Sequence, residues 1–330
     1  MNSRLFLPLT LVATSTLLLA GCAAPATDTE DDGGLEVVAS TNVYGDIAAT
    51  IGGDRITVTS IIDSVALDPH SYEASARDQL TISRADLIVA NGGGYDSFLD
   101  GLVEATGTDA PVITAVEFSH DWPGAEEHTD EDDASTSSET EEESGAEDEH
   151  DHEHIEGFNE HVWYDPHTVE HVAEEIAAQL SDLDPEGAEV YEANAAAFTE
   201  GIGELESALE ALATDHAGAE IFVTEPVPLY LTTAAGLTNV TPDEFSEAVE
   251  EGQDVPPATL LEALALLESG DVATVIANAQ TGGAETTQII DAAEDAGIPV
   301  LEFTELMPDG LTYLTWMQSN IDALAGTLTR

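Results

Sequence analysis

From Leu35 onward the chain alternates short, β-branched apolar runs with helix-like stretches, and that alternation leaves few folds open. Parallel strands need crossover connections, usually helices, so strand and helix in regular succession specify an α/β fold built on mainly parallel sheets. The runs Leu35–Ser40, Ile56–Ile62, Leu87–Asn91 and Val112–Val116 are expected strands, with helices at Tyr44–Ile51 and Ser75–Arg84 between them. The second half repeats the design in Ile221–Thr224, Val272–Asn278 and Val300–Phe303. Leu87-Ile88-Val89-Ala90-Asn91 and Val275-Ile276-Ala277-Asn278 are alike, so two lobes of similar construction are expected rather than one large sheet. At 330 residues with 42% hydrophobic content, the chain is long enough for two domains of ordinary size.

One helix should join the lobes. Asp184-Pro185 reads as an N-cap followed by Pro at the first helical position. Tyr191, Ala195, Phe198, Ile202, Leu205, Leu209 and Leu212 then recur at alternating spacings of four and three, a single apolar stripe. A helix from Pro185 to about Ala213 is about 43 Å long at about 1.5 Å per residue, enough to run across both lobes. Gly201 and Gly203 each lower its propensity by about 1 kcal/mol relative to Ala, which the stripe must offset. The expected organisation is an N-terminal lobe at 35–184, a long rigid linker helix at 185–216 and a C-terminal lobe at 217–330.

The first 34 residues belong to neither lobe. Arg4, the apolar stretch from Leu5 to Leu19 and the small residues before Cys22 read as a secretory signal over 1–21, too short for the roughly 20-residue apolar span that crosses a membrane. Leu19-Ala20-Gly21-Cys22 resembles the lipobox of prokaryotic lipoproteins, in which the Cys is lipidated and becomes the mature N-terminus. Residues 22–34 form a polar tether without the apolar content to fold. Cys22 is the only Cys, so the exported chain has no intrachain disulfide and relies on its core.

Charge narrows the partners. The chain carries 68 acidic residues against five basic ones, all Arg, for a formal net charge of -63. Nucleic acid is excluded, because binding phosphate needs clustered cations that release counterions. A surface this acidic suits a salty medium, where screening shrinks the Debye length to about 3 Å near 1 M salt.

The ten histidines fall into two populations. His120, His128, His150, His152 and His154 lie in the run 120–160, which holds 18 Asp and Glu and no Lys or Arg. Such a run cannot bury enough surface to order itself, so it is expected as a disordered acidic loop that collects metal at low affinity. His70, in Asp68-Pro69-His70-Ser71-Tyr72-Glu73, and His161, in His161-Val162-Trp163-Tyr164-Asp165-Pro166, occupy apolar, Pro-marked settings instead. Open α/β sheets place ligands at the carboxyl ends of their strands, and both histidines fit that position. His167 and His171 form an i, i+4 pair able to chelate, although an exposed polar helix face is the better explanation of them. The only His from Pro185 through the second lobe is His216, in a polar turn. Candidate ligands from that lobe are Glu225 and Glu305, each directly after an apolar strand and before a Pro-marked loop. A carboxylate there is costly to desolvate unless paired or bound; the residues alone leave open whether each is bound or a solvated charge.

Val37-Val38-Ala39-Ser40-Thr41-Asn42-Val43-Tyr44, Asp68-Pro69-His70-Ser71-Tyr72-Glu73, Ala85-Asp86-Leu87-Ile88-Val89-Ala90-Asn91-Gly92 and His161-Val162-Trp163-Tyr164-Asp165-Pro166 resemble, in order, the motifs of the zinc- and manganese-binding solute-binding lipoproteins of ATP-binding-cassette importers. The resemblance covers nearly all of the chain from Leu35 onward. It implies two lobes joined by a long rigid helix, with a metal ion between them held by His70, His161, Glu225 and Glu305. Zinc-type members commonly carry His at the third position and Asp at the fourth; Glu225 resembles the manganese-type choice. Two imidazoles and two carboxylates suit Zn²⁺ and also harder ions such as Mn²⁺. The acidic His-rich run resembles that of zinc importers and favours Zn²⁺, with Mn²⁺ as the alternative.

The resemblance further implies a monomeric receptor, anchored by lipid to the outer face of the cell membrane, that captures the ion with high affinity and delivers it to a membrane permease. No catalysis is expected, since four protein ligands leave no position for an activated water. An exported metallohydrolase would need such an opening, and neither a His-Glu-x-x-His helix nor a Gly-x-Ser-x-Gly elbow is present. A surface adhesin, a role given to some relatives, has only the anchor in its favour.

Overall fold

The computed structural model describes residues 34–123, 155 and 157–328. Cys22, His128, His150, His152 and His154 lie outside the described residues, as do the signal segment and nearly all of the tether.

The first lobe runs β1 (Leu35–Thr41), α1 (Asn42–Gly52), β2 (Ile56–Ile62), α2 (Ala76–Ile82), β3 (Leu87–Ala90), α3 (Ser97–Thr106) and β4 (Val112–Thr114). Its sheet has the order β2-β1-β3-β4, parallel throughout, with Val37 paired to both Val58 and Leu87. A helical hairpin follows, α4 (Pro166–Leu183) and α5 (Ala188–His216). The second lobe continues with β5 (Glu220–Val223), α6 (Leu229–Ala234), β6 (Thr238–Asn239), α7 (Asp243–Glu250), α8 (Pro257–Ser269), β7 (Val272–Asn278), α9 (Ala284–Ala296), β8 (Val300–Phe303) and α10 (Tyr313–Leu328). Its sheet, β6-β5-β7-β8, is again parallel and repeats the first lobe's order. The repeat anticipated from the similar apolar runs is therefore real: β3 and β7 occupy equivalent places. Strand β6 has no sequence signature because it is two residues long.

Period-two alternation sorts each strand's side chains onto opposite faces. Val37, Ala39, Leu87 and Val89 enter a core shared with α1, α4, α5 and α10, while Val38, Ile88 and Ala90 pack on the other face with Ile82, Leu99 and Leu102. In the second lobe Ile221, Val223 and Ile276 join that same shared core, and Phe222, Val272 and Val275 pack with Phe245, Ala263, Leu267 and Ile289. All seven stripe residues of α5 are buried in the shared core, so this helix fastens both sheets to one apolar mass.

Helix α5 begins at Ala188, later than Pro185. Asp184 does not cap it: the residue closes α4, and its Oδ2 accepts from Arg55 Nη2 at 2.6 Å and from the Tyr191 hydroxyl at 2.8 Å. The Arg55 hydrogen bond holds the Asp184 carboxyl below its ordinary range. Gly201 lies where any Cβ would strike the Leu314 side chain of α10, so its weak propensity is exchanged for close helix packing. Gly203 has open space around it and no such reason.

The described ends of the run 120–160 are ordered: Trp122 packs edge-to-face on Phe158 at 5.1 Å, and Phe158 and Glu160 are buried, so these residues belong to the folded lobe.

The carboxyl ends of both sheets face one another across a seam. Asn42 Nδ2 donates to Met307 O at 2.8 Å, the Met307 N–H donates back to Asn42 Oδ1 at 3.1 Å, and the Tyr164 hydroxyl donates to Thr304 O at 2.7 Å.

Candidate metal centre

Four loops at those strand ends supply the candidate donors. After β2, Asp68 shapes the first loop: its Oδ1 accepts from the His70 N–H and its Oδ2 from the Ser71 hydroxyl, each at 2.9 Å. After β3, Gly92, Gly93 and Gly94 all adopt positive φ, which reverses the chain and brings Tyr95 inward. The Tyr95 ring stands edge-on to His70 at 4.9 Å and packs on Trp163 at 4.6 Å, and Trp163 in turn lies edge-on to His161 at 5.1 Å. The apolar wall fixes both imidazoles.

His161 is fully buried, and its ring is oriented by Asn159. Asn159 Nδ2 donates to Pro226 O at 3.1 Å, which fixes the amide so that Oδ1 faces the imidazole. Oδ1 already accepts the His161 backbone N–H at 3.2 Å and lies 2.7 Å from Nδ1, so Nδ1 carries the proton and donates. The lone pair is therefore on Nε2, the tautomer a metal ligand requires.

From the second lobe, Glu305 follows β8 and Glu225 follows β5. Gln280 Oε1 accepts the Glu305 and Leu306 N–H groups, each at 2.8 Å, and sets the Glu305 loop. Asn278, the last residue of β7, bridges the two acids: its Nδ2 donates to Glu225 Oε2 at 2.8 Å and to Glu305 Oε1 at 2.7 Å. The Thr281 hydroxyl donates to Glu225 Oε1, and the Tyr95 hydroxyl reaches Glu305 Oε2 at 3.3 Å.

The structure brings His70, His161 and Glu305 together: one ligand atom from each lies within 4.8 Å of the other two. His70 Nε2 is 3.8 Å from Glu305 Oε2. Glu225 stands beside this trio through Asn278 rather than within it. Two acids not anticipated from the sequence adjoin it: His70, Glu160 and Glu250 form a second mutually close group, and His161 Nε2 is 3.8 Å from Glu250 Oε1. Glu160 adjoins His161 in sequence, but Glu250 ends α7 among solvated acids and carries no distinguishing signal. Asn278 does: the likeness between Val275–Asn278 and Leu87–Asn91 marks both asparagines, and Asn91 also caps its strand by donating to Glu160 O at 3.0 Å.

Electrostatics set the chemistry. Burial, followed by the charge of Glu225, pushes the Glu305 carboxyl up to about 8. Burial also raises Glu225, and burial together with Glu160, Glu225 and Glu305 raises Glu250. Among the described residues the three arginines are elsewhere, Arg55 on Asp184 and Arg77 and Arg84 exposed. Four carboxyl groups, three buried and that of Glu250 half-buried, with two imidazoles and no fixed cation among the described residues, fit a divalent ion, which would satisfy the buried charge that protons otherwise neutralise. Two nitrogen and several oxygen donors suit Zn²⁺ and Mn²⁺ alike.

The other described histidines lie apart from the pocket. His120 is exposed, its Nε2 3.4 Å from Asp121 and its Nδ1 3.9 Å from Asp165. His167 and His171 face one another on α4, and His216 ends α5.

Residues 37–327 match the model of a family described as zinc-uptake complex component A, periplasmic. A manganese-binding lipoprotein of Halalkalibacterium halodurans, MntA, is 28% identical over 323 residues, 95% of each chain. An iron ABC transporter substrate-binding lipoprotein of Streptococcus pyogenes, MtsA, is 25% identical over 347 residues, 96% of each chain. In fold the chain is similar to a periplasmic zinc-binding protein of Treponema pallidum, with a TM-score of 0.69 at 18% identity, covering 90% of this chain and all of that one.

Proposed function

The chain belongs to the family of periplasmic zinc-uptake complex component A proteins, and from that premise we propose that it captures Zn²⁺ outside the cell and delivers it to the membrane permease of an ATP-binding-cassette importer. It is a binding component, not an enzyme. The observation that carries the reading is the trio of half-buried His70 with buried His161 and Glu305, whose ligand atoms lie within 4.8 Å of one another in a pocket rich in carboxyls and, among the described residues, without a fixed cation. Glu225 completes the proposed ligand set, held beside Glu305 by Asn278. Protein side chains fill the shell, and the ion is cargo.

Zinc is favoured by two imidazole donors and by the acidic His-rich run that collects the same ion at lower affinity. Manganese is the competing cargo: Glu225 supplies a hard oxygen donor, and MntA is named for that ion. Among the described residues no helix is long and apolar enough to cross a membrane. Lipidation of Cys22 supplies the anchor in this reading, holding a monomer at the outer face of the cell membrane.

Calorimetric titration of the full chain with Zn²⁺ and Mn²⁺, alone and in competition, tests both parts. The wild type should show one tight equivalent above several weak ones, and His70→Ala should lose the tight one while retaining the weak. Undiminished tight binding in His70→Ala would sink the ligand assignment. Failure of excess zinc to displace manganese would transfer the cargo to Mn²⁺.

A further inference from the structure

The pair His167 and His171 is not absorbed by the pocket. On α4, His167, Glu170, His171 and Glu174 fall at i, i+3, i+4 and i+7 and share one face. Across the hairpin α5 brings up Glu206, and ligand atoms of His167, Glu170 and Glu206 lie within 4.8 Å of one another. The His171 ring meets that of His167 edge-on at 4.7 Å. Its Nδ1 is 3.4 Å from Glu174 Oε2; with Nδ1–H donating to that carboxylate, Nε2 presents a lone pair, as in carboxylate-supported metal ligands.

An exposed polar helix face accounts for each of these residues singly, but not for the convergence of three ligand atoms from two helices. Carboxylates at Glu170 and Glu206, on facing helices with no basic residue in the cluster, repel one another, and His167 is exposed and His171 half-buried. A divalent cation reverses the sign of every one of these contacts. Both helices are rigid elements fixed by buried stripes, so the donors are presented without ordering a loop.

We propose that His167, Glu170, His171 and Glu206 form a second, surface site for a borderline divalent cation such as Zn²⁺ or Cu²⁺, independent of the buried pocket. The two sites share no residue. Because its donors are exposed or half-buried, water competes at the surface site and its affinity is below that of the pocket. A bound ion there ties α4 to α5.

The probe is Zn²⁺ alone, added to the full chain. Anomalous diffraction from zinc-soaked crystals should show a peak between His167, Glu170 and Glu206. Calorimetry of the double variant His167→Ala/His171→Ala should show one weaker equivalent reduced about tenfold or more, with the tight equivalent unchanged. Glu206→Gln, on the other helix, should weaken the same equivalent, which separates loss of a ligand from local damage to α4. Metal-free melting temperatures of all three proteins should agree. Absence of the peak at saturating zinc, or a double variant that titrates like the wild type, would overturn the proposal. The tight equivalent reports separately on the pocket, so failure of one reading is distinguishable from failure of the other.

Discussion

In the proposed site Asn159 touches no ion, yet it orients a ligand. By accepting from His161 Nδ1 it selects the tautomer and aims Nε2 into the pocket. Asn159→Ala leaves the imidazole free to rotate and to change tautomer, and Zn²⁺ affinity should fall about 10- to 100-fold without loss of the fold, as read by calorimetry. Glu305 governs pH dependence. Its carboxyl, held up to about 8 chiefly by burial, is protonated in the metal-free protein near neutral pH, so the ion must displace a proton. Affinity should therefore rise with pH up to about 8, and binding near pH 7 should release protons. Titrations in buffers of different ionisation enthalpy check this; a heat independent of the buffer would contradict it. The linkage to stability has the opposite sign. The folded metal-free chain holds that proton more tightly than the unfolded chain does, so this group's contribution falls as pH rises from about 4.3 to about 8.

Among the elements, α5 separates what local pattern encodes from what it does not. Its buried stripe was legible because seven apolar residues keep the helical period. Its start was not, because Asp184 is claimed by Arg55, 129 residues earlier in the chain. The pocket divides in the same way. Glu225 and Glu305 announce themselves by following apolar strands, and His70 and His161 by their apolar, Pro-marked settings, whereas Glu250 is one acid among many and becomes significant only when α7 folds against the seam. The two helical glycines provide a matched test. Gly203→Ala should stabilise the protein by about 0.5–1 kcal/mol, since the added methyl meets open space and the helix gains propensity. Gly201→Ala should instead lower the melting temperature, because Leu314 has to move. Equal gains in thermal denaturation would show that α5 and α10 are not closely packed at that point.

At the scale of the whole molecule, a formal charge of -63 opposes compaction. Raising NaCl from 0.1 M to 1 M shortens the Debye length from about 10 Å to about 3 Å, and the melting temperature should rise with it. A flat or falling melting temperature would mean that repulsion between surface carboxylates is not limiting. The core answers that repulsion with an unusual distribution. Two sheets that look like separate lobes feed alternate side chains into a single apolar mass threaded by α5, and α4 and α10 seal it. Melting of either sheet exposes part of the apolar mass that the other shares, so thermal denaturation is expected as one cooperative transition, and an ion bound at the proposed site should raise its midpoint.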